Sequence, residues 1–195
     1  EVIVPSINGM HEFDVQPVTI DDYADMTWDF TKAIGLGSYH LLSHSMGNLT
    51  GITLQRKMGE AISFFGMGAP LPRKLFGGSM NYALRGLLIA YNQEYRGLTS
   101  DPERNKKIAA FSKEINKRYI KNILRNPLVA IQTINSINEF DYSGDEVQIP
   151  AGILQGTKDE FFNLSEKDKQ TIAENFKWLW IKELPGATHG FPLFL

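Results

Sequence analysis

The chain offers few groups able to carry covalent or acid–base chemistry. It has no cysteine, which excludes a thiol nucleophile, a disulfide framework and any Cys-ligated metal. The candidate bases are His11, His40, His44 and His189. His11 falls in an early turn, and His40 lies inside the strand-like run Tyr39-His40-Leu41-Leu42. His44 precedes Ser45, so its side chain is expected to leave that turn in another direction. Only His189 sits in a glycine-flanked loop after a late strand, Gly186-Ala187-Thr188-His189-Gly190. The candidate nucleophile is Ser45. In Leu41-Leu42-Ser43-His44-Ser45-Met46-Gly47-Asn48 a strand ends, a tight turn holds Ser45, and a helix begins at once. A serine on such a turn projects its hydroxyl clear of the sheet. The N–H of the next residue, Met46, then lies at a helix N-terminus, where it can stabilise an oxyanion. Small residues are expected two before and two after the serine, and Ser43 and Gly47 stand there. Ser43 is the poorer nucleophile, because its neighbours do not centre the turn on it. Taken singly, each residue has a plainer reading: a serine at a strand–helix boundary commonly caps the helix, and a histidine in a glycine loop is commonly a surface residue.

Those residues depend on the elements around them. Val2–Ile7 reads as a buried strand closed by Asn8-Gly9. Thr19-Ile20-Asp21-Asp22 has the form of a capping box with Asp in place of Glu. The helix it opens carries Tyr23, Met26, Trp28, Phe30 and Ile34 and stops near Gly35-Leu36-Gly37. Ser38–Ser43 reads as a buried strand, Met46–Met58 as a helix, and Ala61–Met67 as a third strand ended by Gly68-Ala69-Pro70. From Lys74 to Asn138 the helical period dominates, with Ile108, Phe111, Ile115, Tyr119 and Ile123 on one face and Pro102 and Pro127 dividing the pieces. Ile149–Gln155 is then a strand, Ser165–Phe176 a helix and Trp178–Leu184 a strand. Strand–helix alternation predicts a doubly wound, mostly parallel α/β sheet, and the helical block reads as an insertion over one end of it.

The composition sets outer bounds. A length of 195 residues fits one domain, or one domain with a small insertion, and can bury a full core without staples. With 43% hydrophobic and 22% charged residues, disordered, collagen-like and coiled-coil classes are excluded. The net charge of −2 gives no general reason to expect nucleic acid. No apolar run reaches the length of a membrane span, and no signal-peptide pattern appears, so a cytoplasmic location is expected.

At Ser43-His44-Ser45-Met46-Gly47 the sequence resembles the Gly-x-Ser-x-Gly elbow of the α/β-hydrolase superfamily, with Ser for the first Gly. The resemblance runs through nearly the whole chain. Val2–Gly9 is similar to the strand and glycine turn before the elbow. Gln155-Gly156-Thr157-Lys158-Asp159 is similar to the loop carrying the family's acid, and Gly186–Gly190 to the loop carrying its histidine. It implies Ser45, Asp159 and His189 as nucleophile, orienting acid and general base, in the family's chain order, with Glu160 as a substitute acid. All three follow the carboxyl ends of strands, where loops meet at the ligand crevice of a doubly wound sheet.

The resemblance further implies a core of residues 1–70 and 141–195 and a helical lid of residues 71–140, in which Leu87 and Tyr91 line an acyl pocket. The expected partner is a small acyl substrate. An ester-cleaving serine hydrolase is the implied activity, with thioester cleavage, acyl transfer or a hydrolase-like binding protein as alternatives. The family's second oxyanion donor comes from an upstream loop that has no counterpart before Ser45, and its closing helix has none after Leu195. A separate or missing N-terminal segment of the same protein is therefore expected beside Val2–Ile7. Arg104, Lys106, Lys107, Lys113, Lys117, Arg118, Lys121 and Arg125 read as a solvated helix face, or as a site for an acidic substrate tail. Trp178 and Trp180 alternate along a strand and read as core or sheet-face packing. Asn48-Leu49-Thr50 and Asn163-Leu164-Ser165 match the glycosylation sequon, the first placed where modification is excluded. No metal spacing, phosphate loop or dinucleotide fingerprint appears, and no cofactor is expected.

Overall fold

The computed structural model describes residues 2–3, 19–69, 102–159 and 161–189. In chain order the elements are α1 (Ile20–Ala33), β1 (Tyr39–His44), α2 (Met46–Met58), β2 (Ala61–Met67), α3 (Pro102–Arg125), α4 (Pro127–Asn138), β3 (Val147–Gly156), α5 (Glu166–Ala173) and β4 (Phe176–Leu184). The four strands form one parallel sheet in the order β1-β2-β3-β4. Leu87, Tyr91 and Glu160, like most of Val2–Ile7, lie outside the described residues. Val2 and Ile3 are exposed and belong to no strand.

Local chemistry accounts for the element ends. Thr19 accepts from the Asp22 amide while the Asp22 carboxylate accepts from Thr19, the expected reciprocal cap. Ser165 and Asp168 repeat that device at α5. Pro102 and Pro127 stand at the first positions of α3 and α4, where a missing N–H costs nothing. The helix expected over Ser165–Phe176 is shorter at both ends. Buried Asn175 turns the chain, donating from its side chain to the Thr171 carbonyl and accepting the Val147 N–H on its own carbonyl, and Phe176 already opens β4.

One sheet face packs a core of Ile52, Phe64, Ile153, Phe162, Ile172 and Phe176 against α2 and α5. Each such side chain contributes about 1.5–3 kcal/mol on burial. Because β1, β2, β3 and β4 follow one another across the sheet, α2 and α5 cross over on the same side. The opposite face is open among the described residues. Leu42 on β1, expected to be buried, is exposed there, and Trp178 and Trp180 are 53% and 50% exposed. A groove of about 560 Å³ lies over that face, lined by Ser63, Phe65, Pro150, Gly152, Trp178 and Trp180. The basic side chains described on α3, among them Lys106, Lys113 and Lys121, are exposed, as a solvated face requires. Among the described residues no helix is long and apolar enough to cross a membrane.

The register is what matters for function. His44 is level with Met67, Met67 with Leu154, and Gly156 with Leu184, so the strands end along one rim. The ladder continues into the loops: Ser45 N–H donates to the Met67 carbonyl, Gly68 N–H to Leu154, and Thr157 N–H to Leu184.

Candidate active site

Ser45, Asp159 and His189 come together on this rim. Ser45 stands between β1 and α2 with φ 55° and ψ −127°, a conformation that costs a residue with a Cβ of order 1–3 kcal/mol. It occupies the N-cap position of α2, yet its side chain makes no capping bond. Its hydroxyl instead lies 2.9 Å from Nε2 of His189. The ordinary reason for a serine at this boundary is therefore absent. Met46, the first residue of α2, has an amide that intrahelical bonding leaves unpaired.

The crowding around the turn differs from the sequence expectation. A Cβ at Gly47 would meet Ser43 at 3.7 Å, an ordinary contact. The tight positions are deeper. A Cβ at Gly51 would strike the Phe64 ring at 2.5 Å, and one at Gly66 would overlap the amide of Asn48. Asn48 is buried and braces the elbow. It accepts from the Ser43 hydroxyl at 2.8 Å and donates to the carbonyls of Ser45 and Met67, both at 2.9 Å.

The Asp159 side chain is shielded from solvent, and its carboxylate meets four donors. Oδ1 accepts the backbone N–H groups of Phe161 and Phe162 at 2.9 and 2.8 Å. Oδ2 accepts from His189 Nδ1 at 2.9 Å and Gln155 Nε2 at 3.1 Å. The carboxylate can only accept, so neutral His189 carries its proton on Nδ1 and leaves Nε2 as acceptor for Ser45. Lys158 N–H donates to the Ala187 carbonyl, tying the acid loop to the histidine loop. Gly156 is required there, since a Cβ would collide with the Ala187 carbonyl. The Phe161 and Phe162 rings lie 4.9 and 5.0 Å from the His189 ring.

His44 is part of the same cluster, which the sequence did not reveal. Its ring lies 4.8 Å from that of His189, and its Nε2–H donates to the His189 backbone carbonyl at 2.9 Å. Burial, reinforced by the neighbouring His189, lowers its pKa from 6.5 to about 4, so it stays neutral near pH 7. Phe161 and Phe162 were legible in principle: an Asp whose carboxylate accepts the N–H groups two and three residues on is a local turn motif. Gln155 and His44 carried no such local signal. His40 bonds Ser63 at 2.8 Å and lies in β1, away from the cluster.

No protein-family model matches the sequence, and no curated protein sequence matches it. Solved structures do. A carboxylesterase of the ammonia-oxidizing thaumarchaeon Nitrososphaera gargenis superposes with a TM-score of 0.64 at 19% identity, over 96% of this chain and 72% of that one. An alpha/beta hydrolase fold protein from Chitinophaga pinensis gives 0.63 at 14% identity, over 93% and 69%. The fold is that of the α/β-hydrolases. An epoxide hydrolase of Bacillus megaterium shares it, with a TM-score of 0.57 at 14% identity over 90% and 71%. The α/β-hydrolase fold thus carries more than one chemistry at this level of similarity, and the chemistry must be argued from the side chains.

Proposed function

We propose that the protein is a serine hydrolase that cleaves carboxylic esters through an acyl-enzyme on Ser45. The carrying observation is the unbroken hydrogen-bonded line from Ser45 Oγ through His189 to Asp159, with the Ser45 hydroxyl not spent on capping. In this reading His189 Nε2 takes the Ser45 proton as Oγ attacks the ester carbonyl carbon. The Met46 N–H faces the oxyanion that forms. The tetrahedral adduct collapses, breaking the bond to the leaving alcohol, which takes the proton from Nε2. Water, deprotonated by the same nitrogen, then attacks the acyl-enzyme and frees the acid. Asp159 keeps the imidazole in the required tautomer and stabilises its cationic form throughout. The esterases that share the fold support an acyl substrate.

In the same reading residues 1–70 and 141–195 form the hydrolase core. Residues 71–140 form a lid whose Leu87 and Tyr91 contact the acyl chain. Rapid acid quench of the protein with a nitrophenyl ester, followed by proteolysis and peptide mass measurement, tests the mechanism. An added acyl mass on the peptide containing Ser45 is expected. Ester turnover with no acylated species at any time would overturn it.

A further inference from the structure

Asp159 has a second side-chain partner whose presence the core does not explain. Gln155 is on β3, four residues before the acid and next to the aliphatic pair Ile153-Leu154, and it is 2% exposed. Its amide is fully engaged. Oε1 accepts the Ala69 N–H at 3.0 Å, and Nε2 donates to Asp159 Oδ2 at 3.1 Å and to the Phe162 carbonyl at 2.6 Å. The Ala69 N–H can only donate, and the carboxylate and the carbonyl can only accept. The amide therefore has one allowed orientation, with both Nε2 hydrogens aimed at the acid loop. Gln155 also joins two walls of the site. Ala69 follows Gly68, where a Cβ would lie 3.1 Å from His189 Nδ1 and 3.5 Å from Asp159 Oδ2.

Asp159 Oδ2 thus serves two donors, and the one that does not react is rigid. We infer that Gln155 is a positioning residue. Its amide holds Oδ2 of Asp159 in the orientation from which that oxygen accepts the His189 Nδ1–H. This inference rests on the serine-hydrolase reading for its effect on rate, while the hydrogen-bond geometry stands apart from it. Titratable and polar groups that face His189 include Asp159 from the acid loop, His44 from the end of β1 and Ser45 from the elbow; of these Gln155 bonds only Asp159, while its bond to the Phe162 carbonyl also steadies a ring packed on the imidazole.

Gln155→Met keeps the length of the side chain and removes the amide; Gln155→Asn keeps the amide and falls one methylene short. For both, kcat on a nitrophenyl ester is expected to fall about 10- to 100-fold, by analogy with the loss when an outer partner that orients a metal-bound side chain is removed, with KM little changed. Combined with Asp159→Asn, Gln155→Met should cost nothing further, because the carboxylate it positions is gone. An equal fold-loss in both backgrounds would mark Gln155 as merely structural and overturn the inference. A second arm needs no turnover: the His189 Nδ1–H resonance, followed by NMR with ¹⁵N-labelled imidazole, should shift or broaden in either variant while backbone amide signals remote from the rim persist. An unchanged resonance in a folded variant overturns the inference. A wild-type protein that neither hydrolyses esters nor takes up a fluorophosphonate sinks the hydrolase reading alone, leaving the resonance to decide for Gln155.

Discussion

The two ends of the Ser45–His189–Asp159 line are built on opposite principles. At the acid end every approach is filled: two backbone N–H groups, one amide and one imidazole surround a carboxylate shielded from water. At the nucleophile end the hydroxyl is withheld from capping, the backbone is strained, and among the described residues no side-chain cap closes the adjoining helix N-terminus. In the proposed reading the contrast follows from what each end must do. A carboxylate that stays ionised through the cycle gains from saturated hydrogen bonding. A hydroxyl that must attack loses by being spent on a cap instead of on the base, and an amide that must meet a new anion loses by being satisfied beforehand.

Substitutions at the two ends should separate them. The largest effect is expected from Ser45→Ala, which removes the attacking atom: hydrolysis of a short-chain nitrophenyl ester should fall by about 10⁵–10⁶-fold. Retention of most activity would assign the chemistry elsewhere. Asp159→Asn should cost about 10⁴-fold in kcat. Its Oδ1 can still accept from Phe161 and Phe162, but its NH₂ then meets two donors, His189 and Gln155, and the imidazole loses its tautomer. A loss below about tenfold, measured by steady-state kinetics, would show that the saturated end does not orient the base.

His44 sharpens the comparison through pH. Its folded pKa of about 4 lies below its ordinary 6.5, so the unfolded chain takes up a proton that the native state resists. Stability from this group is present above pH 6.5 and is lost as pH falls toward 4, by up to about 3 kcal/mol. Urea unfolding at neutral pH and near pH 4 measures it. His44→Gln, which can still donate to the His189 carbonyl, should flatten that part of the curve, and an identical curve would remove His44 from the account.

The smallest effect belongs to Ser43. Ser43→Ala leaves Asn48 Oδ1 without its hydroxyl donor, which costs about 1–3 kcal/mol of stability, while most ester hydrolysis remains. Loss of activity comparable to Ser45→Ala would mean that the turn is centred on the wrong serine.

What could be read from the sequence was local. The strand–serine–helix turn, the Thr19 capping box and the limits of α2 and β2 follow from short patterns of propensity and capping, and the structure reproduces them. The glycine-rich loop of His189 was singled out by elimination among four histidines, and the loop of Asp159 by its place after a strand and its resemblance to the acid loop of the α/β-hydrolases. Gln155 and His44 were not, because each acts on a residue brought near by tertiary structure or by an unreadable side-chain direction. Periodicity carried the last helix through Asn175, although the buried bond from Val147 N–H had already claimed that residue for the sheet. The same alternation that places Trp178 and Trp180 on one face carries no information about what, if anything, lies over it.

The central claim is that the hydroxyl of Ser45 is activated by His189. A fluorophosphonate probe reports this directly, since it phosphonylates a serine only where a base and an oxyanion site activate it. After incubation with the protein and proteolysis, the adduct should map by mass spectrometry to Ser45, and Ser45→Ala and His189→Ala should abolish it. A protein that stays unlabelled, or an adduct that maps to Ser43 and persists in Ser45→Ala, would contradict the account.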